Sequence, residues 1–153
     1  TMQLGNIQPA FARRQNGEIV SYMRDNGLPK KIRQAVSSDN GITWGPVIEM
    51  DIPNPGASVE ALVLANGPWI LVCNDTLEGR HVVTVYLSED EGATWPVSRK
   101  LENFSPDAGS GSYFAFIQGK DGKIHGTYSY KDEKTPGSTI KHVVFDEGWI
   151  RGE

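Results

Sequence analysis

Short stretches in which hydrophobic and polar residues alternate, or in which β-branched and aromatic residues run together, recur along the whole chain. Turn signals separate them. No stretch of eleven or more residues has the 3.6-residue period and capping residues of a helix, so we expect little or no helix. Many short strands at even spacing are typical of a sandwich, a barrel or a propeller. The predicted strands are Gln8–Arg14, Glu18–Arg24, Ile32–Ser37, Val59–Ala65, Trp69–Asn74, Val82–Ser88, Tyr113–Gln118, Ile124–Tyr130 and Ile140–Phe145.

A repeat of roughly fifty residues distinguishes among these architectures. Asn16-Gly17, Asn66-Gly67 and Asp121-Gly122 each stand between two apolar strands, as the turns of β-hairpins do. A period near fifty with about four strands per unit is typical of a propeller blade. We therefore predict an all-β segment of three four-stranded blades, covering approximately residues 1–51, 52–102 and 103–153.

An octapeptide with the pattern S-x-D-x-G-x-T-W closes the first two units, at residues 37–44 and 88–95. Aspartate can accept hydrogen bonds from the backbone of its own turn, glycine allows a positive φ, and tryptophan covers the sheet with a large apolar ring. We interpret these positions as structural. They are Ser37, Asp39, Gly41 and Trp44 in the first copy, and Ser88, Asp90, Gly92 and Trp95 in the second. The third unit ends on a shortened version, Phe145–Trp149.

Composition argues against several classes of function. Fifteen Lys+Arg residues against 19 Asp+Glu give a net charge of −4, without the concentrated basic footprint of a nucleic-acid reader. The apolar stretches are too short to span a bilayer. Cys73 is the single cysteine, so no internal disulfide forms, and we expect a buried, inert thiol. His81, His125 and His142 lack ligand spacing, so we expect no metal and no cofactor.

The octapeptide resembles the Asp box, or bacterial neuraminidase repeat, of the sialidase superfamily. The resemblance covers nearly the whole chain and corresponds to the C-terminal half of a six-bladed sialidase-like propeller. Residues 113–122 followed by 140–150 are similar to the last blade of that family. The resemblance implies a carbohydrate ligand and hydrolysis of the glycosidic bond of a terminal acidic sugar, such as sialic acid or a relative.

The resemblance also implies candidate site residues. Sialidases use a tyrosine nucleophile, and arginines suit a carboxylated sugar because the guanidinium binds a carboxylate bidentately. Arg24, which ends the pattern N-G-x-x-x-x-x-x-R, and Arg80, eight residues before Ser88, match two members of the arginine triad of the family. Tyr113, eight residues before Asp121, matches the nucleophile. Alternatively, Arg24 and Arg80 are solvated arginines on the surface, and Tyr113 is an aromatic residue that only packs.

The chain departs from the family at the base that would take the proton of the tyrosine. The matching position holds Gln8, whose amide cannot accept a proton at neutral pH. Glu60, on a comparable inner strand of the next blade, is the candidate substitute. The acid/base aspartate and the first arginine of the family belong to N-terminal blades that this chain does not contain.

Two further segments flank the candidate residues. Asn74 and Asp75 precede the Arg80 loop. They either line the same cleft as Arg80 or only stabilise a turn. Gly109–Ser112 is predicted as a mobile loop that leads into Tyr113.

Three blades cannot close a ring, and an open propeller exposes strand edges. We therefore expect the missing blades to come from a longer chain or from a second copy. Two functions stay open: a sialidase-like glycosidase segment, and a non-catalytic carbohydrate-binding or self-assembling propeller module. A third, a lyase acting on uronic acids, is compatible with a propeller because one fold hosts many chemistries.

Overall fold

A computed structural model describes residues 5–135 and 137–153, in which the regular secondary structure is β-strand apart from one short helix. They form three antiparallel sheets and one short helix, which confirms the predicted all-β propeller fold. The elements are β1 (Asn6–Arg13), β2 (Ile19–Asp25), β3 (Lys31–Ser37), β4 (Ile48–Pro53), β5 (Val59–Val63), β6 (Trp69–Cys73), β7 (Val82–Ser88), β8 (Val97–Asn103), β9 (Gly109–Gln118), β10 (Ile124–Asp132), β11 (Thr139–Phe145) and α1 (Glu147–Arg151).

Each sheet is a meander in which every strand pairs with the next along the chain. The first sheet contains β1 to β4, the second β5 to β8, and the third β9 to β11. The prediction of four strands is therefore correct for the first two blades and wrong for the third, which has three strands in the part of the chain that the structure describes. After Phe145 the chain enters α1, whose N-cap Asp146 accepts a hydrogen bond from the Trp149 N–H at 2.8 Å.

The core lies between successive sheets rather than inside one of them. One cluster of buried side chains, including Tyr22 and Trp69, joins the first sheet to the second. The other, including Val83, Phe116 and Tyr128, joins the second to the third. The inner strand β5 packs against both β1 and β9, so the first strands of the three sheets lie side by side.

The two octapeptides form the same hydrogen-bonded turn. In the first, Ser37 Oγ donates to Asp39 Oδ1 at 2.8 Å, and the Thr43 N–H donates to the same oxygen at 2.8 Å. The bonds of the second copy match these within 0.1 Å, at 2.7 and 2.8 Å. Hydrogen bonds from the threonine and the serine lower the pKa of each aspartate, Asp39 and Asp90, to about 2. Both carboxylates are therefore ionised acceptors of their own turns.

The helix α1 takes the place of a third octapeptide and packs against β8 of the preceding sheet. The Arg99 guanidinium lies 4.7 Å from the Trp149 ring centroid, and Arg151 pairs with Glu89 at 2.5 Å. Within residues 5–135 and 137–153, no helix has the length and apolarity needed to cross a membrane.

Candidate functional site

The candidate residues gather at one end of the sheets, where the inner strands begin and the second strands end. Contacts between neighbouring sheets establish this. Arg24, near the end of β2, donates from Nη1 to the Gly56 carbonyl just before β5 at 2.9 Å. Ser58, also just before β5, accepts a hydrogen bond from the backbone N–H of Tyr113 on β9 at 2.8 Å. The octapeptides follow β3 and β7 and lie at the opposite end.

Tyr113 lies in a β-bulge of the third sheet. Ser112 pairs with Ser129 and Ala115 with Thr127, so Tyr113 and Phe114 together face one residue of β10. The backbone of Tyr113 has φ +60°, a conformation that a bulky side chain rarely adopts. The side chain is 52 % exposed. A bulge commonly re-aims a side chain beside a functional site, and strain of this kind persists only where the surroundings impose it.

Gln8 lies in the equivalent irregularity of the first sheet. Ile7 pairs with Arg24 and Ala10 with Tyr22, and the register shifts between them. Gln8 has φ +50° and is exposed. The structure thus places Gln8 beside the strand end that carries Arg24.

The two arginines approach Tyr113 to different degrees. The Arg80 guanidinium carbon lies 5.1 Å from the centroid of the Tyr113 ring. A hydrogen bond from Arg80 and then its charge lower the pKa of the Tyr113 phenol, and the charge of Arg24 adds to this. The Nε atom of Arg24 is buried without a hydrogen-bond partner among the described residues. This donor is therefore available to an acceptor that enters the site.

Glu60 is half-buried on β5, and burial raises the pKa of its carboxyl. The backbone N–H of Phe116, three residues beyond Tyr113 on β9, opposes that shift. No hydrogen bond joins Gln8 or Glu60 to the Tyr113 phenol within the described part of the chain. The structure brings Arg80 to Tyr113, and it leaves the position of a base open.

Asn74 and Asp75 are engaged by the protein itself. Asn74 is fully buried, and its Nδ2 donates to the carbonyls of Val82 at 2.8 Å and Gly111 at 2.9 Å. Asp75 accepts the hydroxyl hydrogen bond of Tyr86 at 2.6 Å. Burial and this bond raise the pKa of Tyr86.

Gly109–Ser112 is strand rather than loop, so that prediction is wrong. Gly109 to Ser112 pair in register with Asp132 to Ser129 of β10, and β9 begins at Gly109. The glycines and serines are compatible with a strand here because the neighbouring sheet approaches closely. A Cβ atom on Gly111 would lie 2.7 Å from the Cγ2 atom of Val83.

Sequence reasoning missed a polar groove beside Arg80. It has a volume of about 510 Å³, and its lining includes His81, Asp107 and Lys131. Asp107 has φ +70°. Single polar residues in separate segments carry no sequence signal of this kind, because only the meeting of the second and third sheets brings them together. Among the described residues, no cluster of three His, Cys, Asp or Glu side chains is arranged to hold a metal ion.

Comparison with known proteins assigns this chain to a family. The model of the BNR repeat-like domain matches residues 1–125. The sialidase of Micromonospora viridifaciens is 31 % identical over 147 residues, which cover 90 % of this chain and 21 % of that protein.

Two solved structures share the fold. The intramolecular trans-sialidase of Ruminococcus gnavus superimposes with a TM-score of 0.78 at 16 % identity, covering 94 % of this chain and 33 % of that one. The leech intramolecular trans-sialidase superimposes with a TM-score of 0.80 at 16 % identity, covering 94 % and 24 %. The chain thus spans a third or less of the length of these relatives. Three packed antiparallel sheets, the paired octapeptides and the family match over most of the sequence establish that the chain belongs to the BNR repeat-like domain family and is a segment of a sialidase-like propeller.

Proposed function

We propose that this chain is the part of a sialidase-like glycosidase that carries the tyrosine nucleophile and two arginines of the substrate clamp. One observation carries the proposal: the Arg80 guanidinium lies 5.1 Å from the Tyr113 ring centroid, at the end of the sheets where Arg24 also lies. Two cations beside an exposed phenol form a site that binds an anionic ligand. The same site contains a nucleophile, the phenol itself.

The proposed chemistry follows from these groups. Arg24 and Arg80 bind the carboxylate of the acidic sugar, since a guanidinium is always charged and matches a carboxylate bidentately. The phenol oxygen of Tyr113 forms a bond to the anomeric carbon while the bond from that carbon to the leaving oxygen breaks. The acid that protonates the leaving oxygen, and the remaining blades, are supplied by a longer chain or by a second copy.

The mechanism also requires a group that removes the proton from the phenol of Tyr113. Arg80 and Arg24 lower the pKa of the phenol and so favour the phenolate without a carboxylate in contact. Glu60 is the candidate base on the neighbouring strand β5, and its raised pKa suits a general base. Gln8 contributes at most a hydrogen bond.

The test is covalent labelling of the full-length protein with a mechanism-based fluorinated sialosyl probe, together with a fluorogenic sialoside assay. We expect labelling of the wild type and its complete loss in Tyr113→Phe. Tyr86→Phe is the control, because the hydroxyl of Tyr86 is already bonded to Asp75 and Tyr86 lies on β7 rather than on β9. Labelling that persists in Tyr113→Phe would remove Tyr113 from the mechanism.

A non-catalytic carbohydrate-binding module is the second candidate, and Gln8 is the observation that favours it. A protein with Gln8 and without an effective base would keep the arginine site and lose turnover. Saturation-transfer NMR with free sialic acid distinguishes the two functions. Binding that is lost in Arg80→Met, without turnover of the fluorogenic sialoside by the wild type, would support the binding module.

A further inference from the structure

The distance between Arg80 and Tyr113 depends on a contact between two different sheets. Arg80 lies in the connection between β6 and β7 of the second sheet, whereas Tyr113 lies on β9 of the third. Side-chain attraction between a guanidinium and an aromatic ring contributes only about 0.5–1 kcal/mol at an exposed site, too little to set this geometry alone. The backbones that carry the two residues must be held together by something else.

Two features make that connection: the backbone hydrogen bond from the Gly111 N–H to the Arg80 carbonyl, and the side chain of Asn74, the residue directly after β6. The Asn74 side chain is fully buried, and its Nδ2 atom lies 2.8 Å from the Val82 carbonyl and 2.9 Å from the Gly111 carbonyl. Val82 comes two residues after Arg80, and Gly111 two residues before Tyr113. One amide group therefore bonds to both segments, in each case two residues along the chain from the candidate site residue.

The contacts at this position require a donor of two protons, while the Asn74 Oδ1 atom is buried without a hydrogen-bond partner among the described residues. A primary amide has two protons, and the two short contacts use both, while the 3.3 Å contact to the Arg80 carbonyl shares one of them. That carbonyl also accepts the Gly111 N–H at 3.0 Å. Aspartate has no proton to donate here, and an aliphatic residue would leave two buried carbonyls without this partner.

The position itself points to a role in the site. Asn74 follows Asn66-Gly67 at the spacing at which Arg24 follows Asn16-Gly17, so the second repeat has an inward, buried amide where the first has a guanidinium. The other buried polar atoms at this end are consistent with close docking of the sheets: Ser58, at 8 % exposure, accepts the Tyr113 N–H.

We propose that Asn74 is a positioning residue, whose amide fixes the Arg80 segment against the Tyr113 segment and thereby sets the contact between the guanidinium and the phenol. Its effect on turnover rests on the proposed function. Its effect on the contact does not, because the contact exists in the protein without substrate.

The test measures the titration of Tyr113 in the full-length protein by NMR of ¹³Cζ-labelled tyrosine, with Tyr113→Phe to assign the signal. Because Arg80 lowers the pKa of this phenol, loosening the contact must raise that pKa toward its ordinary value of 10. We expect this rise in Asn74→Leu, which keeps the number and branching of the side-chain heavy atoms and removes both protons. Asn74→Ser, which keeps one donor, is expected to give a smaller rise and remains informative should Asn74→Leu fail to fold.

Leu71→Ala is the matched control for general loosening of the blade. Leu71 lies three residues earlier on β6, is fully buried, and faces the core shared with the first sheet rather than the third. We expect Leu71→Ala to lower the melting temperature as much as Asn74→Ser without moving the titration of Tyr113. If the wild type turns over a sialoside, Asn74→Ser is also expected to lower kcat/KM by about 10²-fold, the usual effect of a misplacement near 1 Å.

The outcomes separate the two proposals. A folded Asn74 variant in which the pKa of Tyr113 is unchanged would show that Asn74 only packs, and would overturn the inference. An equal rise of the pKa in Leu71→Ala would overturn it as well. A raised pKa in the Asn74 variants, in a wild type that neither labels nor turns over, would support the positioning role while the proposed function fails.

Discussion

At the scale of single residues, the candidate site consists of positions that repeat along the chain and have diverged. Gln8, Ser58 and Tyr113 each come eight residues before the turn pair of their own sheet. Gln8 and Tyr113 have positive φ values of 50° and 60°, whereas Ser58 is buried and binds the backbone of Tyr113. Strained positions of this kind cost about 1–3 kcal/mol each. Because both strained residues lie at one end of the sheets and reduce stability, we infer that the strain directs the side chains of Gln8 and Tyr113.

Gln8 provides the sharpest prediction at this scale. In the full-length protein, Gln8→Glu supplies a carboxylate that can take a proton from the phenol, and a positioned general base contributes about 10²–10⁴-fold. We expect kcat on a fluorogenic sialoside to rise by at least about 10²-fold with KM nearly unchanged. Gln8→Met, similar in size and without a base, is the control and is expected to give no rise. An unchanged kcat in Gln8→Glu would indicate that another group already performs this step, and Glu60→Gln would then be the next variant.

At the scale of elements, an octapeptide turn also joins two sheets where a preceding sheet is present. The second octapeptide packs on the first sheet: the Trp95 ring meets Tyr22 edge to face at 5.8 Å, and Gln15 donates its N–H to Glu91 Oε1 at 2.9 Å. Gly92 is buried at this contact with φ +81°, and a Cβ atom there would overlap the Tyr22 hydroxyl and lie 3.0 Å from ring carbons of Trp69. The glycine thus serves both the turn and the contact between the sheets.

Two glycine variants separate those roles. Gly122 has φ +80°, almost equal to that of Gly92, but a Cβ atom there would meet nothing within 4 Å. We expect Gly122→Ala to lower the free energy of unfolding by about 1–2 kcal/mol, the cost of a left-handed alanine. Gly92→Ala is expected to cost about 1–3 kcal/mol more, because it also overpacks the contact between the sheets. Urea unfolding followed by tryptophan fluorescence measures both, and equal losses would contradict the role of Gly92 between the sheets.

The success of sequence reasoning also differs from element to element. The nine predicted strands were found because their apolar residues alternate or cluster and their turns contain glycine. β4 and β8 were not among them, since they are outer strands with charged residues such as Glu49, Arg99 and Lys100. The small residues of Gly109–Ser112 predict a loop from sequence, whereas the close approach of Val83 accounts for them in a strand. Spacing singles out Arg80 and Tyr113, which the structure brings together, whereas the burial of Asn74 depends on how two sheets meet.

At the scale of the whole molecule, the two outer faces of the three-sheet stack are apolar and uncovered. On the first sheet, Phe11 is 52 % exposed, and Trp44 of the first octapeptide packs on it instead of on a preceding sheet. On the third sheet, Ile117 and Ile140 are 66 % and 67 % exposed. The second octapeptide and α1 each pack on the sheet that precedes their own. The first octapeptide has no preceding sheet among the described residues. This repeated arrangement is why we propose that further blades cover both faces in the complete assembly.

The uncovered faces lead to a prediction for the 153-residue chain by itself. Exposed apolar patches on opposite sides favour association, because burying them removes apolar surface from water. We expect light scattering to give a mass at least about twice the 16.8 kDa of one chain. The double variant Phe11→Glu, Ile117→Glu places a charge on each face and is expected to return the mass to that of one chain. Leu77→Glu, at an equally exposed loop residue on neither face, is the control and is expected to associate like the wild type. A wild-type chain that stays monomeric at all concentrations would contradict the requirement for further blades, whereas association abolished by Leu77→Glu would place the contact on the loops instead of the sheet faces.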